Sequence, residues 1–295
     1  MTNAIEIQKL RKILHSFQLK DVSFTLPKGT IMGFVGENGA GKTTTIKCIL
    51  DLLKKDNGKI KLFGKEMHED ELSIKSDIGV VFDDLHFPQN LTAKKISKFM
   101  AKVFSNWDDS YYFHLLTKLK VQENKRINEL SRGMKMKLSI AIALSHHPKL
   151  LILDEPTSGL DPIVRDEILD IFLDFMQEEE HSILFSSHIT SDLEKIADYI
   201  TFIHEGKILF CESKDTLLYD YAIWRGTVEE SKDLPSESIL AMRENSFGLE
   251  ILVKRNEVSK AFHLYKPTIE EIMLIYVRGV HDFAGFVDER LSNAQ

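Results

Sequence analysis

From Ile31 the chain reads Ile31-Met32-Gly33-Phe34-Val35, then Gly36-Glu37-Asn38-Gly39-Ala40-Gly41-Lys42-Thr43-Thr44, and it continues with helical spacing to Leu53. A short, all-apolar run before a glycine-rich loop reads as a buried strand, and Thr44 to Leu53 reads as the helix that follows. Glycines let the backbone wrap closely, so successive N–H groups and the positive end of the helix point at one spot, which suits phosphate. Lys42 is then placed to reach the β/γ-phosphates of a nucleotide, and the Thr43 hydroxyl to sit on Mg²⁺. Chance would produce this spacing in about one chain of this length in a hundred, before the flanking strand and helix are counted.

At 295 residues, with 43% hydrophobic and 28% charged content, the chain can bury a large core and a smaller second domain without staples. No apolar run reaches the roughly eighteen residues of a membrane-spanning helix, and Met1 to Leu10 lacks a signal-peptide apolar region, so a cytosolic chain is expected. Cys48 and Cys211 have no second ligand pair nearby, which argues against a disulfide framework or a zinc site; both are expected to be half-buried packing residues. A net charge of −7 without a dense basic face gives nucleic-acid binding no support.

In chain order, Ile5, Ile7 and Leu10, then Leu19, Val22, Phe24 and Leu26, predict short alternating strands that end at Pro27-Lys28-Gly29. Asp56 to Lys59 reads as a hairpin-like turn before a strand over Ile60 to Gly64. Ile78 to Phe82 is a buried strand running into Asp83 and Asp84. Such a strand end either puts an oxygen near Mg²⁺ or water, or is a solvated loop; both readings stay open. Helical spacing over Ala93–Phe104 and Ser110–Leu119 makes 90–147 a mainly helical insert. Ser131 stands as the N-cap of a long helix, and with Arg132 and Gly133 in the first turn that end offers an anion-binding surface.

Leu150 to Pro156 reads as an all-apolar strand whose carboxyl end bears two adjacent carboxylates, Asp154 and Glu155. Ligands sit at that end of parallel strands, so Asp154 is placed to hold Mg²⁺ and Glu155 to polarise an attacking water. Ser158 to Pro162 turns into a helix from Ile163 to about Glu178. Ser182 to Ser187 is another buried strand, and His188 at its end points into the same crevice. Tyr199–Ile203 and Lys207–Phe210 form a hairpin around Glu205-Gly206 that closes the core near residue 215. Beyond it, strands over Ala222–Val228 and Phe247–Val253 and a helix over Thr268–Val277 predict a small α+β domain, 216–295. Phe283, Phe286, Val287 and Leu291 share one face of a terminal docking helix or frayed end.

Taken together, these motifs resemble the nucleotide-binding subunit of an ATP-binding-cassette (ABC) transporter over about residues 4 to 215. Gly36 to Thr44 is similar to the Walker A motif, Leu130 to Met134 to the signature, and Leu150 to Glu155 to the Walker B. Ser158 to Asp161 is similar to the D-loop, and His188 to the switch histidine. The resemblance implies a P-loop α/β fold: a RecA-like core with an antiparallel β part and a helical subdomain, here 90–147, within an ATPase domain 1–215. It implies that two subunits, identical or paralogous, pair head to tail, each ATP lying between one chain's phosphate loop and the partner's Ser131, Arg132 and Gly133. Glu155 would then be the catalytic base, His188 would contact the γ-phosphate, and Thr43 and Asp154 would serve Mg²⁺. A separate membrane permease would dock on the segment around Asp83 and the helical insert, holding the chain at the cytoplasmic side of the membrane.

Three departures from the family pattern stand out. Asp83 stands where a Gln is usual, as a candidate metal ligand; Arg132 and Met134 stand in a signature that usually reads L-S-G-G-Q. Leu14, with His15 and Phe17 close by, falls where an aromatic usually stacks on adenine, so loose nucleotide selectivity is expected. The single cassette, the Arg-Gly-Met signature and the C-terminal domain are similar to ABC-2-type exporter ATPases, and within these to ATPases of Gram-positive bacteria that export amphipathic or antimicrobial peptides. Two other functions compete: a soluble ABC protein acting on ribosomes or DNA, which usually carries two cassettes or coiled-coil inserts, and a nucleotide-sensing regulator, against which Glu155 and His188 argue.

Overall fold

The computed structural model describes residues 3–279. The chain divides into two compact units, Met1–Phe210 and Cys211–Gln295.

In the first unit, β1 (Asn3–Leu14) pairs antiparallel with β2 (Phe17–Pro27), and both are far longer than the short strands expected. Register shifts near Lys9 and Asp21, both at positive φ, interrupt the alternation that would have revealed a long strand. β3 (Ile31–Val35) leads into the phosphate loop and α1 (Lys42–Ile49). That helix stops short of Leu53 because Asp51 takes a left-handed φ of 55° and the chain turns out. β4 (Asn57–Leu62) already includes Asn57 and Gly58 and pairs with β1, so the expected turn at 56–59 belongs instead to a strand reached from a distance. The resulting three-stranded layer has the order β2-β1-β4.

α2 (Glu71–Ser76) precedes β5 (Ile78–Val81). The helical segment follows as α3 (Ala93–Val103), α4 (Asp109–Lys118) and α5 (Arg132–Leu144). Each starts on a side-chain cap: Thr92 accepts from the Lys95 amide, Asp108 from Tyr111 and Ser131 from Met134. The three helices pack on one another around buried Ile96, Tyr112, Leu115, Leu116 and Ile127, and the Tyr112 hydroxyl donates to the Ala93 carbonyl at 3.0 Å.

Next come β6 (Leu150–Asp154), α6 (Pro162–Phe175), β7 (Ser182–Ser187), α7 (Thr190–Ile196), β8 (Tyr199–His204) and β9 (Lys207–Ser213). α6 ends three residues before the expected Glu178, where Met176 and Gln177 fold back on Phe172 and Asp174. The core sheet has the order β5-β6-β7-β3-β8-β9, and the pairs among β5, β6, β7, β3 and β8 are parallel. Its central strands are fully buried around apolar centres, as strands covered on both faces are. Cys48 is fully rather than half buried, and burial pushes its thiol up to about 11; Cys211 is half-buried.

The second unit is a four-stranded antiparallel sheet of order β11-β12-β10-β13, built from β10 (Tyr221–Gly226), β11 (Ile239–Asn245), β12 (Gly248–Lys254) and β13 (Leu264–Tyr265). β10 ends before the expected Val228, because Thr227 caps the short α8 (Val228–Ser231). β11 and β13 were not legible in the apolar pattern. Helix α9 (Ile269–Arg278) packs beside β11 and β12 after a Thr268/Glu271 capping box. Trp224, Met242, Leu249 and Ile251 are in its core. The apolar face expected from Phe283 to Leu291 lies outside the described residues.

Candidate functional site

Parallel pairing brings the carboxyl ends of three strands together. β7 lies between β6 and β3, with Asp154 opposite Ser186 and Val35 opposite Ser187. Loops that begin at Gly36, Glu155 and His188 therefore start side by side, at the edge where α/β sheets bind ligands. The phosphate loop bends tightly: Gly41 has φ of 116°, and a Cβ there would stand 2.8 Å from Leu19 Cδ2 and from Phe17 Cζ. No side chain caps α1 and no acidic residue occupies its first turn, so its amide end is left for an anion. Glu37, Asn38, Gly39 and Thr43 are exposed, Thr44 is half-buried, and Gly36, Ala40 and Gly41 are buried.

Lys42 is only 6% exposed. Its Nζ donates to the Gly36 carbonyl at 2.7 Å and the Glu37 carbonyl at 3.2 Å, and lies 3.2 Å from Glu155 Oε1. The other carboxylate oxygen of Glu155, Oε2, accepts from His188 Nδ1 at 2.7 Å. Glu155 sits at a left-handed φ of 55°, and its amide donates to the Ser186 carbonyl at 3.0 Å, fixing the carboxylate at the head of the crevice. A carboxylate held between an ammonium and an imidazole is oriented to accept a proton from a water in front of it.

Asp154 is 5% exposed, and its Oδ1 has no hydrogen-bond partner. Burial pushes its carboxyl above the ordinary range, against the pull of the nearby Thr43 hydroxyl and Lys42 ammonium. A buried carboxylate oxygen without a partner, beside a threonine hydroxyl, fits a hard cation. Among the described residues no group of three or more His, Cys, Asp or Glu gathers as a metal cage, and Mg²⁺ is commonly held by one or two protein oxygens plus substrate phosphates.

Leu14 is half-buried and lines a cavity of about 670 Å³ with His15, Phe17, Asn38, Gly39 and His204. Ile13 and His204 are among the neighbours there that sequence reasoning missed. Ile13 is 67% exposed beside Leu14, and His204, at the end of β8, lies 3.8 Å from Glu37. A histidine closing a core strand was the available signal, as it was for His188. Ser131, Arg132 and Gly133 open α5, and their side chains take no part in the contacts of Lys42, Glu155 or His188. Asp83, a candidate metal ligand by sequence, is bound by Arg132 of the same chain, Nη2 to Oδ1 at 2.6 Å.

The family described as ABC transporter matches residues 19–158. The bacitracin transport ATP-binding protein BcrA of Bacillus licheniformis is 38% identical over 212 residues, 71% of this chain and 69% of that protein. The lantibiotic transport ATP-binding protein SrtF of Streptococcus pyogenes is 37% identical over 214 residues, 72% of this chain and 91% of that protein. The ABC transporter ATP-binding protein YtrB of Bacillus subtilis is 32% identical over 268 residues, 88% of this chain and 89% of that protein. Among solved structures, the ATP-binding subunit of an ABC transporter superposes with a TM-score of 0.66 at 25% identity, covering 72% of this chain and 91% of that one. The chain belongs to the ABC transporter ATP-binding proteins, with the P-loop ABC fold. It is an ATPase, the subunit that energises a transporter complex. Among the described residues no helix is long and apolar enough to cross a membrane.

Proposed function

We propose that the chain powers export of amphipathic or antimicrobial peptides through a separate integral-membrane permease, by ATP-driven head-to-tail pairing of two ATPase subunits. The observation that carries this reading is the single cluster of Lys42, Glu155 and His188 at three adjacent strand ends. The phosphate loop from Gly36 to Thr44 cradles the phosphates, with Lys42 on the β/γ pair. Glu155 takes the proton of the attacking water, and His188 orients Glu155 and reaches the γ-phosphate. Ser131, Arg132 and Gly133 of the paired subunit face the same ATP, and the Leu14 cavity takes the base. Thr43 and Asp154 would hold Mg²⁺, which would neutralise phosphate charge when bound. Asp83 has a different part, argued below.

The bacitracin and lantibiotic transport relatives support the cargo class. Docking on a permease would place the chain at the cytoplasmic face of the membrane, with itself or a paralogue as second subunit. The test is affinity purification of tagged Glu155→Gln chain with ATP from gently solubilised membranes. Recovery of a multi-spanning protein is the expected result. A soluble ATP-bound dimer without one would move the reading to a ribosome-associated ATPase or a nucleotide-sensing regulator.

A further inference from the structure

By the family resemblance Arg132 and Asp83 serve different parties, Arg132 the partner's nucleotide and Asp83 its own chain's metal. In the structure they hold each other at 2.6 Å. The guanidinium also lies close against the D-loop: at Gly159, whose φ is +66°, a Cβ would stand 2.6 Å from Arg132 Nη1 and 3.0 Å from its Cζ. Any side chain at 159 would push Arg132 away. One arginine thus ties together the end of β5, the signature and the D-loop.

Helix electrostatics say why an anion is needed there. α5 opens on a cation, with no acidic residue in its first turn, although the amide end of a helix is already positive. Asp83 supplies the missing negative charge across 49 residues of sequence. The two side chains are 52% and 51% exposed, so the pair is screened and easily exchanged. A nucleotide phosphate carries more negative charge than a carboxylate and accepts the planar guanidinium fork equally well.

We propose that Asp83 is a competing ligand that holds Arg132 in reserve before the dimer described above closes on ATP. Within one chain Asp83 neutralises Arg132; when ATP closes the dimer, Arg132 gives up that carboxylate for the phosphates of the ATP on the partner subunit. Asp83 is a positioning residue that sets how much ATP closure requires. The inference rests on the head-to-tail dimer proposed above.

The experiment measures the ATP concentration for half-maximal dimerisation of full-length Glu155→Gln protein, by analytical ultracentrifugation, with Asp83→Asn, Arg132→Gln or both added. Asp83→Asn is expected to lower that concentration about two- to fivefold, and the effect should shrink between about 50 mM and about 500 mM salt. Arg132→Gln is expected to raise it about tenfold, and adding Asp83→Asn to Arg132→Gln to change it no further. Asp83→Ser, which also removes the charge, should repeat the Asn result, guarding against a local packing effect. If Asp83→Asn raises the ATP requirement, or shifts it equally with and without Arg132, Asp83 acts on metal or water and the proposal is overturned. A Glu155→Gln chain that never dimerises with ATP would instead defeat the dimer reading itself, and the proposal with it.

Discussion

Lys42 and Arg132 are both cations at the start of a helix, and the fold treats them in opposite ways. Lys42 is buried, fixed by two loop carbonyls and Glu155, on a loop whose position is set by three parallel strands. Arg132 is half exposed, held by one carboxylate on another loop. The first arrangement is preorganised in place: the buried ammonium already stands at the phosphate loop, and it trades loop carbonyls for phosphate oxygens without leaving that loop. The second is exchangeable, as a contact meant to be handed to a second molecule has to be.

The sharpest way to break this contrast is at the buried end. Lys42→Ala should reduce steady-state ATP turnover more than about a hundredfold, measured by phosphate release, because it removes a desolvated cation that the whole loop is built around. Glu155→Gln should reduce single-turnover hydrolysis about 10²- to 10⁴-fold, the range for losing a positioned general base, while leaving ATP binding measurable by nucleotide fluorescence. Turnover near the parent's in either variant would mean that the cluster is not the reacting centre.

A third charge cluster extends the comparison to the C-terminal unit. Glu250 is 9% exposed and accepts from Arg225 at 3.0 Å and Arg243 at 2.6 Å, while Arg225 also reaches Glu271 at 2.9 Å. Burial pushes the Glu250 carboxyl up, but Arg243 and Arg225 outweigh it and hold it below the ordinary range. A depressed carboxyl contributes stability above its unfolded value and loses it as pH falls through the folded one. Glu250→Gln should therefore lower stability by about 1–3 kcal/mol at neutral pH in a denaturant melt, with the difference from the parent narrowing in acid. A variant as stable as the parent at pH 7 would show the cluster to be passive. Smallest of all, Asp83→Asn should change thermal stability by no more than about 1 kcal/mol, since exposed pairs add little; a larger loss would make the Arg132 contact structural rather than exchangeable.

How much of this was legible depended on where the information lay. β3 and β7 have the predicted bounds and β6 its predicted start, because each is buried on both faces around an apolar centre, Ile183 to Phe185 in β7. The start of α5 was legible from its serine cap, and that of α9 to within one residue. β11, which reads Ile-Leu-Ala-Met-Arg-Glu-Asn, was not, since its register shift and the ionic role of Arg243 spoil the alternation. Asn57 and Gly58 misled because turn chemistry is local, whereas their strand pairs with β1 far upstream.

By itself the sequence determined the chemical inventory and its order: the glycine loop with Lys42 and Thr43, Asp154 and Glu155 after an apolar strand, and His188 after the next. Those are local patterns, written in residues that are neighbours along the chain. Only the tertiary structure decided that Lys42 and His188 close on the two oxygens of Glu155, that Ile13 and His204 flank the Leu14 cavity, and that Asp83 neutralises Arg132. These contacts join residues brought together by parallel strand order and helix packing, and no spacing along the chain encodes them.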